Sequence, residues 1–294
     1  MITIILQGGL GNQMFQYAAA KALASRLNTN VRLDLSVFKI HHNKNWCRPY
    51  ELDSIFDVDA SHFYSLSLVK KIWIAVLYEY RYKPLGKWLK KFFHVFDSST
   101  QSIDQWHQCQ DNTTLWGYFG SEAYFKDKRN EILEVFRFKN ILDEKNKAVA
   151  ELIQNTNSVS VHIRRGDYLN EVNSKVFVSL TPKWYHEAIR KVKEKAENAH
   201  FFFFSDDMDW VRDTFGDINN ATFVDWNSGA DSYKDMQLMS LCKHNIIPNS
   251  TFSWWGAWLN TNPNKMVIAP AVFYVNEKSN DSYRQNMPKE WILL

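Results

Sequence analysis

The chain has 294 residues, of which 45% are hydrophobic and 23% charged. That composition buries a sizeable core and excludes a disordered chain, and a length near the limit of about 250 to 300 residues for a single core favours two domains. Lys and Arg exceed Asp and Glu by 35 to 32, a net charge of +3, which excludes a dedicated nucleic-acid binder and leaves any anion to be met by a local cluster.

The opening residues Thr3 to Gln7 are apolar and β-branched, Gly8 to Gly11 read as a turn, and Asn12 to Leu27 is an Ala-rich helical segment followed by a second strand at Val31 to Leu35. Strand, glycine loop, helix and strand begin an α/β layer. The run Met1 to Leu6 has no basic region before it and is too short for a signal peptide, so a cytoplasmic location is expected. Four N-x-S/T sequons, at Asn112, Asn220, Asn249 and Asn280, carry no weight in that compartment. Cys47, Cys109 and Cys242 are far apart and lack zinc or disulfide spacing, which fits a reducing compartment. His41 and His42 read as surface residues.

Between Tyr64 and Phe96 the chain turns aromatic and basic, with seven Lys or Arg against the single acid Glu79 and with Pro84 interrupting the helical pattern. The stretch reads as an insertion at about 64–96. Its longest uncharged apolar run, Ile72 to Tyr78, is seven residues, against about 20 for a membrane span. Lys70, Lys71, Trp73, Trp88, Lys90 and Lys91 admit three readings: peripheral contact with an anionic membrane face, closure over a substrate, or an amphipathic helix pair packing its aromatic side inward. The polar stretch Asn140 to Asn157 marks a domain boundary, and the chain is divided into 1–150 and 151–294.

In the C-terminal half, strand-like runs at Ser158 to Ile163, Phe201 to Phe204, Thr222 to Val224, Asn245 to Ile247 and Met266 to Ala269 alternate with helices beginning at Thr181-Pro182, Met208, Asp231 and Ser250. Near-continuous apolar strands between helices predict a parallel sheet covered on both faces, with ligands bound beyond the strand carboxyl ends. Arg164-Arg165-Gly166-Asp167, Ser205-Asp206-Asp207, Asp225-Trp226 and Asn249-Ser250-Thr251 all follow strands and share one rim.

Arg164 and Arg165 supply fixed forks of donors that stay charged when desolvated and match phosphate oxygens; the plain alternative is pairing with Asp167 and a neighbouring carboxylate. His162 lies inside its strand and reads as a buried or supporting residue that can still reach a ligand. Asn249-Ser250-Thr251 opens a helix whose free N–H groups favour an anion, although an ordinary N-cap would also explain Ser250. Behind it Trp254, Trp255 and Trp258 read as core. Asp207-Met208-Asp209 matches the D-x-D pattern that holds a divalent metal; the rivals are hydrogen bonding of a nucleoside by Asp206 or Asp207 and capping of the next helix. Gly8-Gly9-Leu10-Gly11, with Asp34 at the end of the next strand, resembles the dinucleotide fingerprint, but Met14 stands in place of its third glycine. What survives is close backbone approach at Gly9 and Gly11, with Asn12 and Gln13 as amides for sugar hydroxyls.

GGLGNQMFQYA at residues 8–18, VHIRRGDY at 161–168, FFSDD at 203–207 and NSTFSWWGAWL at 249–259 together resemble the bacterial α-1,2-fucosyltransferases of glycosyltransferase family 11. The resemblance implies a GT-B fold, two Rossmann-like domains facing a central cleft, with GDP-fucose mainly on the C-terminal domain and a galactose-terminated oligosaccharide acceptor mainly on the N-terminal one. It implies inverting transfer with no essential metal and no other cofactor. By motif, Arg164 neutralises the departing GDP, His162 touches the donor, and Arg165, Asp206, Asp207, Asn249, Ser250, Thr251 and Phe252 line the donor site. Gly9, Gly11, Asn12 and Gln13 face the fucose or acceptor. Asp167 and Glu171 are the candidates for a base on the acceptor hydroxyl. A metal-dependent transferase of another nucleotide sugar and a non-catalytic nucleotide-sugar-binding module are the rival readings.

Overall fold

The computed structural model describes residues 1–40, 48–63, 69, 72, 76, 79–80 and 82–294. His41, His42, Cys47, Lys70, Lys71 and Trp73, singled out above, lie outside the described residues. The chain forms two compact units, Met1–Lys139 and Asn140–Leu294. The division expected at 150/151 falls inside the helix Glu144–Asn155. That helix is capped by Asp143, whose carboxylate accepts from the Asn146 N–H at 3.0 Å, and it packs on elements of the second unit, so the boundary moves to its N-terminal side.

The first unit carries a five-stranded sheet of order β3-β2-β1-β5-β4, comprising β1 (Ile2–Ile5), β2 (Val31–Asp34), β3 (Ser61–Phe63), β4 (Val95–Asp97) and β5 (Thr114–Trp116). All its pairings are parallel. The helix Leu10–Arg26 crosses from β1 to β2. Its buried Ala18, Ala19, Ala20, Ala22 and Ala24 combine high helix propensity with small volume, so the helix lies close on its neighbours. Two of the first three residues of that helix, Leu10 and Gly11, are buried, and Gly8 ahead of it adopts φ +80°, a conformation that glycine takes without steric cost. The described C-terminal end of the aromatic and basic stretch belongs to this sheet and its packing. Val95 and Phe96 belong to β4 and are buried, and Lys90 of the helix Pro84–Phe92 is buried against Asp97. No described helix is long and apolar enough to cross a membrane.

The second unit has a six-stranded parallel sheet of order β11-β10-β9-β6-β7-β8, from β6 (Asn157–Ile163), β7 (Ala199–Ser205), β8 (Ala221–Val224), β9 (His244–Ile246), β10 (Val267–Ala269) and β11 (Ile292–Leu293). The continuous apolar run Phe201, Phe202, Phe203, Phe204 is wholly buried, as a strand covered on both faces requires. Val159, Val161 and Ile163 of β6 join Phe201 and Phe203 and the helix Pro182–Lys193 through Tyr185, Ile189 and Val192 in one core. Each such side chain contributes about 1.5–3 kcal/mol on burial. Trp254, Trp255 and Trp258 of the helix Thr251–Leu259 are core residues, as expected. A Cβ on Gly256 of that helix would sit 3.0 Å from Cβ of Met239, so glycine permits the close packing that fixes the helix and its N-terminus against the helix Tyr233–Leu241.

Candidate functional site

The strand order of the second unit reverses between β9 and β6: β6, β7 and β8 run outward on one side, β9, β10 and β11 on the other. In such sheets the connections leave adjacent strands in opposite directions at this point, which opens a crevice beyond the carboxyl ends. The loops after β9, β6 and β7 are neighbours there, and they carry Asn249 to Phe252, Arg164 to Asp167, and Asp206 to Asp207.

Both arginines are engaged by carboxylates. Arg164 donates from Nε and Nη2 to the two oxygens of Asp167 at 2.9 and 2.7 Å, and its Nη1 lies 3.0 Å from Oδ2 of Asp206. A guanidinium has five N–H groups, so two remain for a guest. Burial opposes the charge of Arg164, but the Asp167 hydrogen bonds and the Asp206 charge outweigh it and raise its pKa. Arg165 donates from Nε to Asp207 at 3.1 Å and stacks on Trp210 at 3.9 Å. The pairing alternative for the arginines is therefore realised, and it leaves Arg164 oriented rather than blocked.

Asp206 organises the loop. Its Oδ1 accepts from the backbone N–H groups of Arg165 and Gly166 at 2.9 and 3.1 Å while Oδ2 faces Arg164. Burial would raise its pKa, but Arg164 and the two N–H donors lower it overall. A Cβ on Gly166 would stand 3.0 Å from Oδ2 of Asp206, so glycine lets the loop close on this carboxylate without crowding it. Asp206, expected with Asp207 as the alternative nucleoside contacts, thus has both oxygens engaged within the loop.

His162 is 6% exposed, and its Nδ1 is buried without a protein partner. Burial, then the neighbouring Arg164, pushes its pKa down to about 3. The imidazole is neutral at physiological pH and a poor proton acceptor, which argues against acid-base work and for contact or support. Its ring lies 5.8 Å from that of Phe252, joining the β6 rim to the next helix.

That helix begins at Thr251 with Ser250 as N-cap, and the Ser250 side chain makes no capping hydrogen bond. Leading N–H groups of the helix thus lack a side-chain acceptor, the arrangement that receives an anion. Asn249, expected among the ligand contacts, serves another purpose. It is buried, its Nδ2 donates to the carbonyls of Val178 and Phe273 at 2.9 Å each, and its own carbonyl accepts from the Tyr168 hydroxyl at 2.7 Å. Asp207, one end of the D-x-D pattern, is paired with Arg165, and among the described residues no group of His, Cys, Asp or Glu is disposed around a metal position.

In the first unit, Gly9 caps the helix Leu10–Arg26 and Gly11 is buried in its first turn. Gln13 is also buried: its Nε2 donates to the carbonyls of Gly8 and Pro49, and its Oε1 accepts from the Glu51 N–H. It holds the loop and offers no amide to a sugar. Asn12 is half-buried, with its side chain folded over Gly8, and of the expected pair it alone presents an amide at the surface.

The sequence profile described as Glycosyl transferase family 11 matches residues 65–294. The chain belongs to glycosyltransferase family 11. Among relatives of this family 11 glycosyltransferase, an alpha-1,2-colitosyltransferase of Escherichia coli is 33% identical over 295 residues, covering 98% of this chain and 96% of the relative. The O-antigen biosynthesis glycosyltransferase WbnK of Escherichia coli is 34% identical over 290 residues, covering 93% and 95%. Among solved structures, the fucosyltransferase NodZ from Bradyrhizobium superimposes with a TM-score of 0.53 at 14% identity, covering 87% of this chain and 92% of its own. The two parallel-sheet units of this family 11 glycosyltransferase are those of the GT-B fold, as the resemblance implied. Sequence reasoning missed the clamp by Asp206 and the Tyr168 link; the signal for the clamp was a carboxylate and a glycine at the ends of adjacent strands.

Proposed function

We propose that this glycosyltransferase moves L-fucose from GDP-β-L-fucose to the 2-hydroxyl of a terminal β-galactoside, with inversion and without an essential metal. The observation that carries the reading is the pairing, at the strand-order reversal, of an oriented Arg164 with a helix N-terminus at Thr251 that has no side-chain cap. Breaking the bond between the sugar anomeric carbon and the diphosphate builds negative charge on GDP and positive charge on the ring. The unused N–H groups of Arg164 and those of Thr251 and Phe252 would stabilise the departing phosphate. The acceptor hydroxyl adds to the opposite face of that carbon and loses its proton. Asp167 is the carboxylate nearest the arginine in sequence, but both its oxygens are bound by Arg164, so we assign it to orienting the guanidinium. Arg165 and Asp207 support the loop, Phe252 contacts the donor base, and Asn12 with the Gly9 backbone faces the fucose or acceptor. Arg164 and the N–H groups at Thr251 meet the phosphate charge, and Asp207 is held by Arg165, which favours metal-free transfer.

A second donor has a specific observation behind it: the relative at 33% identity is a colitosyltransferase, and colitose is L-fucose without its 3-hydroxyl. Incubation with lactose, excess EDTA and either GDP-fucose or GDP-colitose, read by mass spectrometry, separates the readings. Fucosyllactose as the main product supports the proposal. Product from GDP-colitose alone overturns the fucosyl assignment, and activity only with added divalent cation overturns the metal-free one.

A further inference from the structure

The helix Pro84–Phe92 is amphipathic with its faces reversed. Gly86, Leu89 and Lys90, at helical spacing, turn toward the first unit, while Leu85, Trp88 and Phe92 form a stripe that is 51%, 59% and 63% exposed. Amphipathic helices of globular proteins place the apolar stripe in the core. Here the core side holds a lysine, whose ammonium is neutralised by Asp97 at 3.2 Å and donates to the Thr100 hydroxyl at 2.7 Å. The rings of Trp88 and Phe92 stack on each other at 5.4 Å in the open. Beside the stripe stand the exposed Lys87 and Lys91, one turn apart, and no residue of the helix is acidic. Lys83 precedes it, 3.9 Å from Glu79.

We propose that this face docks the enzyme on an anionic phospholipid surface, with Leu85, Trp88 and Phe92 in the headgroup and acyl boundary and Lys87 and Lys91 on the phosphates. Contiguous large apolar side chains on a surface mark an interaction site. A Trp and Phe stripe flanked only by lysines is the composition of a helix lying in the membrane interface. A second copy of the chain fits poorly, because facing its own lysines would repel it. The buried ion pair of Lys90 with Asp97 holds the helix in the orientation that keeps the stripe outward. The docking is independent of which sugar is transferred.

The test is sedimentation of the full chain with vesicles of phosphatidylcholine alone or mixed equally with phosphatidylglycerol. The wild type is expected to pellet with the anionic vesicles and to stay in solution with the neutral ones. Lys87→Gln and Lys91→Gln should each lower partitioning about fivefold. The triple variant Leu85→Ser, Trp88→Ser, Phe92→Ser should abolish it while leaving the thermal midpoint unchanged or higher, since these side chains are exposed. Equal pelleting with both vesicle types, pelleting with neither, or unchanged partitioning of the triple variant would overturn the proposal. A concentration-dependent dimer that the triple variant dissolves, with no vesicle binding, would assign the face to a second copy and overturn it as well.

Discussion

Replacing Arg164 by Lys keeps the charge at the rim and removes the fork. The guanidinium places Nε and Nη2 on Asp167 at 2.9 and 2.7 Å and Nη1 3.0 Å from Asp206, with two N–H groups left over. An ammonium carries three N–H groups on a single atom, so it cannot serve both carboxylates and a departing phosphate oxygen with comparable geometry. The missing contact is the one that strengthens as charge develops, and loss of such a donor costs about 3 kcal/mol, on the order of a hundredfold in kcat. Affinity for GDP should fall less, by about tenfold or under, because the retained charge still meets the ground-state diphosphate. Steady-state transfer at saturating donor, with GDP binding by calorimetry and a thermal midpoint on the same preparation, separates these effects. Turnover within a few-fold of wild type would refute the assigned role. Equal losses in rate and GDP affinity would mean that Arg164 contributes uniform binding rather than transition-state stabilisation.

Gly166→Ala should crowd the Asp206 carboxylate, 3.0 Å from the added carbon, loosen its contact with Arg164 and lower kcat with little loss of folding; unchanged turnover would separate Asp206 from the arginine's placement. Because the pKa of His162 is pushed down to about 3, the folded chain takes up fewer protons there than the unfolded chain as pH falls below about 6.5, so acid erodes stability across that window. His162→Phe should flatten this slope in urea titrations, and the wild-type kcat/KM profile should carry no imidazole inflection near pH 6.5. Asp235 is held by Asn227 at 2.8 Å, and enclosure raises its pKa to about 7. Between the unfolded value of 3.8 and about 7 the folded state binds the extra proton, so stability falls as pH rises through that range. Asp235→Asn should therefore stabilise more at pH 8 than at pH 5, by about 2–4 °C for each 1 kcal/mol regained; equal midpoints for variant and wild type at both pH values would contradict the enclosure.

In the second unit β6 and β7 were legible because they are seven residues long, and β10 because it is wholly apolar. Phe201 to Phe204 admits no other burial pattern, and the polar residues that follow each strand fell on one rim. The first unit was read only through β2, because β3, β4 and β5 are three residues each, too short for a periodicity to register. Their existence depends on pairing with distant strands. Lys90 was read with its neighbours as a surface cation, since a sequence does not show that Asp97 and Thr100 close over it. Gln13 and Asn249 share a different cause. An amide inside a functional motif can serve a sugar or a backbone carbonyl with the same atoms, and only the positions of Pro49, Val178 and Phe273 decide between them. The clamp on Arg164 spans the separation between Gly166 and Asp206, which no local pattern reports.

Asn249 and Tyr168 have a consequence for anyone who would exchange parts of this enzyme. One residue fastens the loop after β9 to the segments at Val178 and Phe273, and the Tyr168 hydroxyl fastens the arginine loop to that same residue. The rim is thus assembled like a keystone joint, and its loops are not separate modules. A graft that shifted the backbone at Asn249 would strand the Tyr168 phenol, because its acceptor is the main-chain carbonyl there. Recombination that respects the joint should yield folded chimaeras, and crossovers that cut through it should not.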